Sequence, residues 1–349
     1  MKTFFLWAPL APPQPDRSHS PALARWADKA AVLFLGAGLV QVLFGFDEGW
    51  AQFIPMALGL LLFGLPHGAI DHLVALGLAE KPLRPAALSS VLFLYSTVVI
   101  TVLACWLFFP SAAAIGFLIM TIYHWGNADL AFERYGLRGA LESRGHLANG
   151  VHLILRGLIP IGLPFVFFPS EAFQFLNACV HLFAPNHEIP TSHGRSFVSA
   201  VFLLFFVSDL GLHLSRWRSS LARRIVVENF ALVAFFYFVP PLIAVGWYFA
   251  GWHGLRHLLR LSRYESPEKP IVAPSRGISR LCCQAIPFTL ASILILAGLY
   301  IWMSDRVAGA FETTALYLVL VSALTLPHLL VVEWMDIQEA RLSKSQTLH

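Results

Sequence analysis

From about residue 30 to residue 335 the chain alternates long apolar runs with short polar breaks. The runs have the length of membrane-crossing helices, not of strands. Candidate spans fall near residues 30–46, 53–78, 87–109, 111–132, 146–168, 196–215, 225–239, 241–259, 284–302 and 313–335, most of them close to the roughly 20 residues a bilayer requires. The pattern predicts an all-α fold, a polytopic integral membrane bundle of about ten transmembrane helices (eight to ten), with residues 29–336 as one domain carrying the functional site. Residues 1–28, cut by Pro9, Pro12, Pro13 and Pro15, are expected to be a cytoplasmic, poorly ordered arm rather than a signal-peptide core, and residues 337–349 a cytoplasmic tail. Pro240-Pro241 fits either a turn between two short helices or a kink in one long helix. Residues 171–184 form a short apolar piece expected to lie at the interface.

Composition agrees with the pattern. The chain is 57% hydrophobic and 13% charged, with 29 Phe and 10 Trp, which leaves too little charge to cover a soluble domain of this length. The net charge of +4 is scattered over loops and gives no nucleic-acid footprint; its meaning is topological. With ten spans and the N-terminus inside, Lys81, Arg84, Arg134, Arg138, Arg144, Arg216, Arg218, Arg223, Arg224 and the basic residues from Arg256 to Arg280 all fall on the cytoplasmic side. Asp47, Glu48, Glu171 and Glu188 fall opposite, with little positive charge there beyond Arg195 and Arg306. The four cysteines have no CxxC metal spacing: Cys105 and Cys179 are expected to pack in or near the bilayer, and Cys282 and Cys283 to be reduced thiols.

Histidines change the picture. Pro66-His67-Gly68-Ala69-Ile70-Asp71-His72, His124-Trp125-Gly126-Asn127-Ala128-Asp129, Trp252-His253-Gly254-Leu255-Arg256-His257 and Pro327-His328 all lie inside apolar runs. Polar groups at such depth are costly unless they meet a partner, and a shared metal is the cheapest partner for several imidazoles. Spans 2, 4, 8 and 10 run in the same direction, and His67, His124, His253 and His328 each fall in the second half of their span, hence at one level. His253 and His257 are i and i+4 and project from one helix face, where they can clamp one ion, and His67 and His124 supply two more nitrogens. Four neutral imidazoles with no anionic ligand suit iron, copper or zinc. Asp71 and Asp129 are natural acceptors behind the ligating nitrogens of His67 and His124.

Simpler readings apply elsewhere. One membrane histidine alone is more often a helix-to-helix hydrogen-bonding residue than a ligand. His72 is expected to be solvated or behind the ligands. His152 and Arg156 suggest a polar access path, Asp209, His213 and Glu228 suggest ordinary interfacial pairs, and His181, His187 and His193 fall in a solvated loop.

Taken in order, Gly64-Leu65-Pro66-His67-Gly68-Ala69-Ile70-Asp71, the His124 motif, His253-Gly254-Leu255-Arg256-His257 and Pro327-His328 resemble the successive motifs of the Brp/Blh family of membrane β-carotene 15,15′-dioxygenases, which make retinal. The likeness runs from span 2 to span 10; the arm lies outside it, and the second motif reads His-Trp-Gly where His-Phe-Gly is usual. The resemblance implies Fe(2+) on His67, His124, His253 and His257, with His328, Asp71 and Asp129 behind them. It also implies β-carotene and O2 as substrates, the bacterial inner membrane as location and a retinal-binding protein as acceptor of product. Four imidazoles would keep about two coordination positions open for O2. Other readings are cleavage of a different carotenoid or apocarotenoid and, from another class, a proton-coupled transporter using intramembrane His and Asp. A diiron desaturase needs His-His pairs, and this chain has no adjacent histidines.

Overall fold

The computed structural model describes residues 9–10, 21–136, 145–191, 193–265 and 274–346, and these are helical with no strand among them. In chain order the helices are α1 (Pro21–Leu43), α2 (Gly49–Leu78), α3 (Pro85–Phe108), α4 (Pro110–Gly136), α5 (His146–Phe167), α6 (Pro169–His181), α7 (Gly194–Leu214), α8 (Ser220–Phe238), α9 (residues 241–265), α10 (Pro274–Trp302) and α11 (Ala310–Gln346). Seven are long and apolar enough to cross a membrane: α1, α2, α3, α5, α7, and the segments Gly277–Trp302 and Ala310–Leu342 of α10 and α11. The chain is therefore an integral membrane protein. Three further expected spans, α4, α8 and α9, are helical but are not among the seven. The sequence shows the reason, because each gives part of its length to charged or polar residues: Asp129 and Glu133 in α4, Arg224 and Glu228 in α8, Arg256 and Arg260 in α9.

Pro240-Pro241 is a break. Helix α8 stops at Phe238, Val239 is extended, and Pro241 opens the next helix at a position that needs no N–H. The N-terminal segment differs from expectation. Helix α1 starts at Pro21, inside the residues expected as an arm, and Leu10 is buried with its N–H donated to the Leu73 carbonyl at 3.0 Å. Arg138 and Arg144, used for the loop-charge argument, lie outside the described residues. The apolar piece expected at the interface is the short helix α6, whose Phe173, Leu176 and Cys179 are buried against the bundle. All four cysteines are free thiols.

Two helices are interrupted where they carry histidines. In α2 a π-turn at Leu60–Gly64 precedes Pro66, whose ring cannot donate to the Leu62 carbonyl and crowds it; widening the turn relieves both. In α9 a second π-turn, Phe249–Gly254, contains His253. Glycine brings α4 and α5 into backbone contact. A Cβ on Gly126 would stand 1.9 Å from the Leu153 carbonyl oxygen, and one on Gly157 1.9 Å from that of Ile122. This close approach seats Asp129 of α4 against Arg156 of α5. Gly157→Ala is expected to force the helices apart at a cost of about 1–3 kcal/mol or more, seen as a lower melting temperature in detergent. An unchanged melting temperature would show that the two helices are free to separate.

Candidate metal centre

Five imidazoles from four helices converge. Ring centroids lie 4.9 Å apart for His67 and His328, 5.1 Å for His67 and His257, and 5.9 Å for His67 and His253. They lie 5.0 Å apart for His124 and His253, and 5.1 Å apart both for His124 and His328 and for His257 and His328. All five side chains are buried. Imidazoles that share one ion through bonds of about 2.1 Å place their centroids roughly 5 Å apart, so the packing has the scale of a metal site.

Orientation supports the same reading. His67 donates its Nδ1–H to the Phe63 carbonyl at 2.6 Å, a group at the π-turn, which leaves Nε2 as the lone-pair nitrogen. His328 donates Nδ1–H to both oxygens of Asp71 at 2.9 Å, and its Nε2 is buried without a hydrogen-bond partner. His257 Nε2 and His124 Nδ1 are likewise buried and unpartnered. Ring nitrogens that reach no donor or acceptor lose free energy unless something else takes their lone pairs, and a metal does so. His253 lies near-parallel to Trp125 at 5.1 Å and to Phe249 at 5.7 Å, which fixes its ring plane. An all-nitrogen donor set of this kind fits iron, copper or zinc.

The residues expected behind the ligands are placed differently. Asp71 serves His328, not His67, and also accepts from the Tyr95 hydroxyl at 3.2 Å. Asp129 does not support His124; it accepts from Arg156 Nε at 2.8 Å, Trp252 Nε1 at 2.9 Å and Arg256 at 3.1 Å. A buried carboxylate goes to the nearest desolvated cations, and two arginines outcompete a neutral imidazole. His72 is buried outside the cluster, donating to the Ala69 carbonyl and packing its ring on Phe288 at 4.3 Å.

Other polar residues of the bundle are structural rather than interfacial. Arg156 is fully buried and also binds Glu228 and Asn229, each at 2.8 Å, while the Arg256 guanidinium stacks 3.6 Å from the Trp252 ring. His152 bridges Asp209 at 2.9 Å and Glu133 at 2.8 Å; neither it nor Arg156 lines the large cavity, so the expected access path is absent there. His213 donates to the Asp209 backbone carbonyl. His152, Asp209 and His213 form a buried group whose ligand atoms lie within 4.8 Å of one another and could hold a metal ion. On the remaining side Arg260 pairs with Asp336 and Glu339, and Asn127 donates to Glu333 and Asp336. Reading Asp209, His213 and Glu228 as interfacial and Arg156 as lining an access path missed one signal: Arg156 and Arg256 stand inside apolar runs, as Asp129 and Glu228 do.

A cavity of about 1120 Å³ abuts the cluster, its wall including His67, His124, His253 and His328, while His257 stays behind them. Its lining is otherwise mainly apolar and reaches Phe311 and Glu312 at the start of α11, about 24 Å along that helix from His328 at 1.5 Å per residue. It is long and mainly apolar, with imidazoles in its wall.

The sequence matches the family model for beta-carotene 15,15′-dioxygenase over residues 58–336, a stretch that includes all five imidazoles. The chain belongs to the β-carotene 15,15′-dioxygenase family. It is 32% identical over 302 residues to a probable β-carotene 15,15′-dioxygenase Blh of Halobacterium salinarum, covering 82% of this chain and 85% of that one. It is 23% identical to a β-carotene 15,15′-dioxygenase of uncultured marine bacterium 66A03, covering 80% of this chain and 92% of the other. It is also 23% identical to a probable dioxygenase Brp of Halobacterium salinarum, covering 84% and 87%. No solved structure matches the chain. In this member of the dioxygenase family the histidine motifs of α2, α4, α9 and α11 are the elements that fold together.

Proposed function

We propose that the chain cleaves the central 15,15′ double bond of β-carotene with O2 to give two molecules of retinal. The ion would be Fe(2+) held by His67, His124, His253 and His257, with His328 as a fifth nitrogen rather than a residue behind the ligands. The observation that carries this reading is the convergence of five buried imidazoles, three of them with an unpartnered nitrogen, at the wall of a long apolar cavity in a chain of this family.

Iron(II) among neutral imidazoles supplies the activation of O2 that an organic side chain cannot provide. The protein does the rest by placement. One polyene and one O2 become two aldehydes, the C=C bond breaking and each carbon taking one oxygen atom, so no further reductant is needed. A hydrocarbon offers no polar handle, and choice of one double bond among many must come from how far the chain slides along the cavity before its walls stop it. Trp125 and Phe249 form part of that wall beside His253 and present aromatic faces to a polyene carrying positive character. Asp71 holds the tautomer of His328 and Tyr95 holds Asp71, which keeps Nε2 free to ligate.

Expression in a bacterium that accumulates β-carotene is expected to bleach the cells and yield retinal by chromatography. Persistent colour with protein present in the membrane would remove β-carotene as substrate and leave another carotenoid or a transporter. The wider setting follows from the same reading: a bacterial inner membrane, substrate and O2 arriving through lipid, and a retinal-binding protein as acceptor.

We take α4, α8 and α9 as crossings too, with their charges buried in the internal networks, which makes ten spans with both termini cytoplasmic. Single cysteines at positions 218 and 276, on a background without the four native thiols, should then label from the cytoplasmic face and one at 187 from the other. Labelling of 218 and 276 from opposite faces would overturn the ten-span topology.

A further inference from the structure

The cavity must be reached by a molecule that never leaves the bilayer, and one wall offers an opening. Helices α3 and α10 both line it, α3 through Ser96 and Ile100 and α10 through Ala291 and Ile295. These four residues are exposed, whereas Tyr95, Val99, Phe288 and Ser292, which line the same cavity on the same two helices, are only half-exposed. The most open residues of a cavity wall mark its mouth.

The packing explains why the mouth stays open. Helix α3 leans on α4, α11 and the last turns of α2, while α10 leans on the Leu65–Ala69 turn of α2, on α9 and on α11; between α3 and α10 there is at most marginal contact. Small residues on neighbouring membrane helices ordinarily let the backbones close. Here Ser96 and Ala291 border a gap instead. The slot from Leu92 to Ile100 is about 12 Å tall at 1.5 Å per residue. It opens beside Tyr95, the residue bonded to Asp71 behind His328, and so leads to the imidazoles directly.

We infer that the slot between α3 and α10 is the lateral portal through which a long, apolar polyene passes from the lipid to the imidazole cluster, with Ser96 and Ala291 as its lips. The occupant follows from the lining: among the described residues the mouth carries no lysine, arginine or amide side chain and is mainly apolar, which rejects charged headgroups and admits hydrocarbon. This rests on the carotenoid-cleavage reading, and the test separates the two.

Cysteine is placed at Ser96 or Ala291, or at Leu94 or Leu294 as controls that do not line the cavity, in full-length protein lacking the four native thiols. After folding, each is modified with a methyl or a benzyl thiosulfonate. Two signals are read in β-carotene-loaded vesicles: the change in the polyene absorption band on uptake, followed without O2, and retinal formation on adding O2. The benzyl adduct at 96 or 291 is expected to slow uptake and retinal formation at least tenfold, the methyl adduct far less, with iron content unchanged and both controls unaffected. Uptake by the benzyl adducts at the unmodified rate would overturn the portal. Uptake that is blocked by the benzyl group, in a protein that forms no retinal when unmodified, would uphold the portal and sink the cleavage reading alone.

Discussion

Alanine at His67, His124, His253 or His257 is expected to strip purified protein of most of its iron, from about one Fe per chain in the unmodified protein. The reason is the burial of the site: with one imidazole gone, the ion faces a cavity whose lining offers few replacement donors, and water must enter an apolar space to fill the position. His328→Ala belongs in the same class, since its ring touches three of the others and its Nε2 has no other partner. Asp71→Asn should weaken iron binding by about 10- to 100-fold, the usual cost of losing an acceptor behind a ligating histidine, acting through His328. His72→Ala should leave most of the iron in place because its ring packs on Phe288 and its Nδ1 on the Ala69 carbonyl. Metal analysis of the seven variants decides the assignment. Full iron in His67→Ala or His253→Ala would sink the site; full iron in His328→Ala alone would return that residue to a place behind the ligands.

Asp129→Ala is expected to prevent accumulation of folded protein, a larger effect on the fold than that of any imidazole change. Its carboxylate is the shared counter-ion of Arg156 and Arg256, which are 0% and 4% exposed, and it also accepts the Trp252 indole N–H. Removing one partner of a buried ion pair costs about 3–5 kcal/mol because the remaining charge is stranded, and here two cations lose it together. Glu228 reaches both arginines and shares the load, so Glu228→Gln should be milder. Size-exclusion profiles and melting curves in detergent provide the check. If Asp129→Asn melted like the parent and lost only iron, the carboxylate would belong to the metal site and not to the arginine network.

The contrast between these aspartates shows where sequence reasoning stops. Asp71 and Asp129 look alike in the chain, each a few residues after a histidine in an apolar run. Spacing along one helix favoured the histidine on the same helix as partner. The structure gives Asp71 to a histidine on α11 and Asp129 to arginines on α5 and α9, because a side chain's partner is set by which helices pack together. The same limit made Asp209, His213 and Glu228 read as interfacial pairs, when Asp209 and His213 are buried within the bundle and the half-buried Glu228 pairs with Arg156.

What the sequence determined by itself is the helical membrane class and the histidines in the apolar runs whose rings now meet; it left Pro240-Pro241 open between a turn and a kink, and the structure shows the break. The first two follow from hydrophobic run length and from the cost of a polar group in hydrocarbon, both of which are local. The tertiary structure decided what depends on neighbours distant in the chain. Backbone contact between α4 and α5 at Gly126 and Gly157 brings Asp129 to Arg156. The crossing of α11 over α2 puts His328 among the other imidazoles and Asp71 behind it. The lack of close packing between α3 and α10 leaves the cavity open to lipid. Each is a property of two helices at once, and no period or spacing within either one records it.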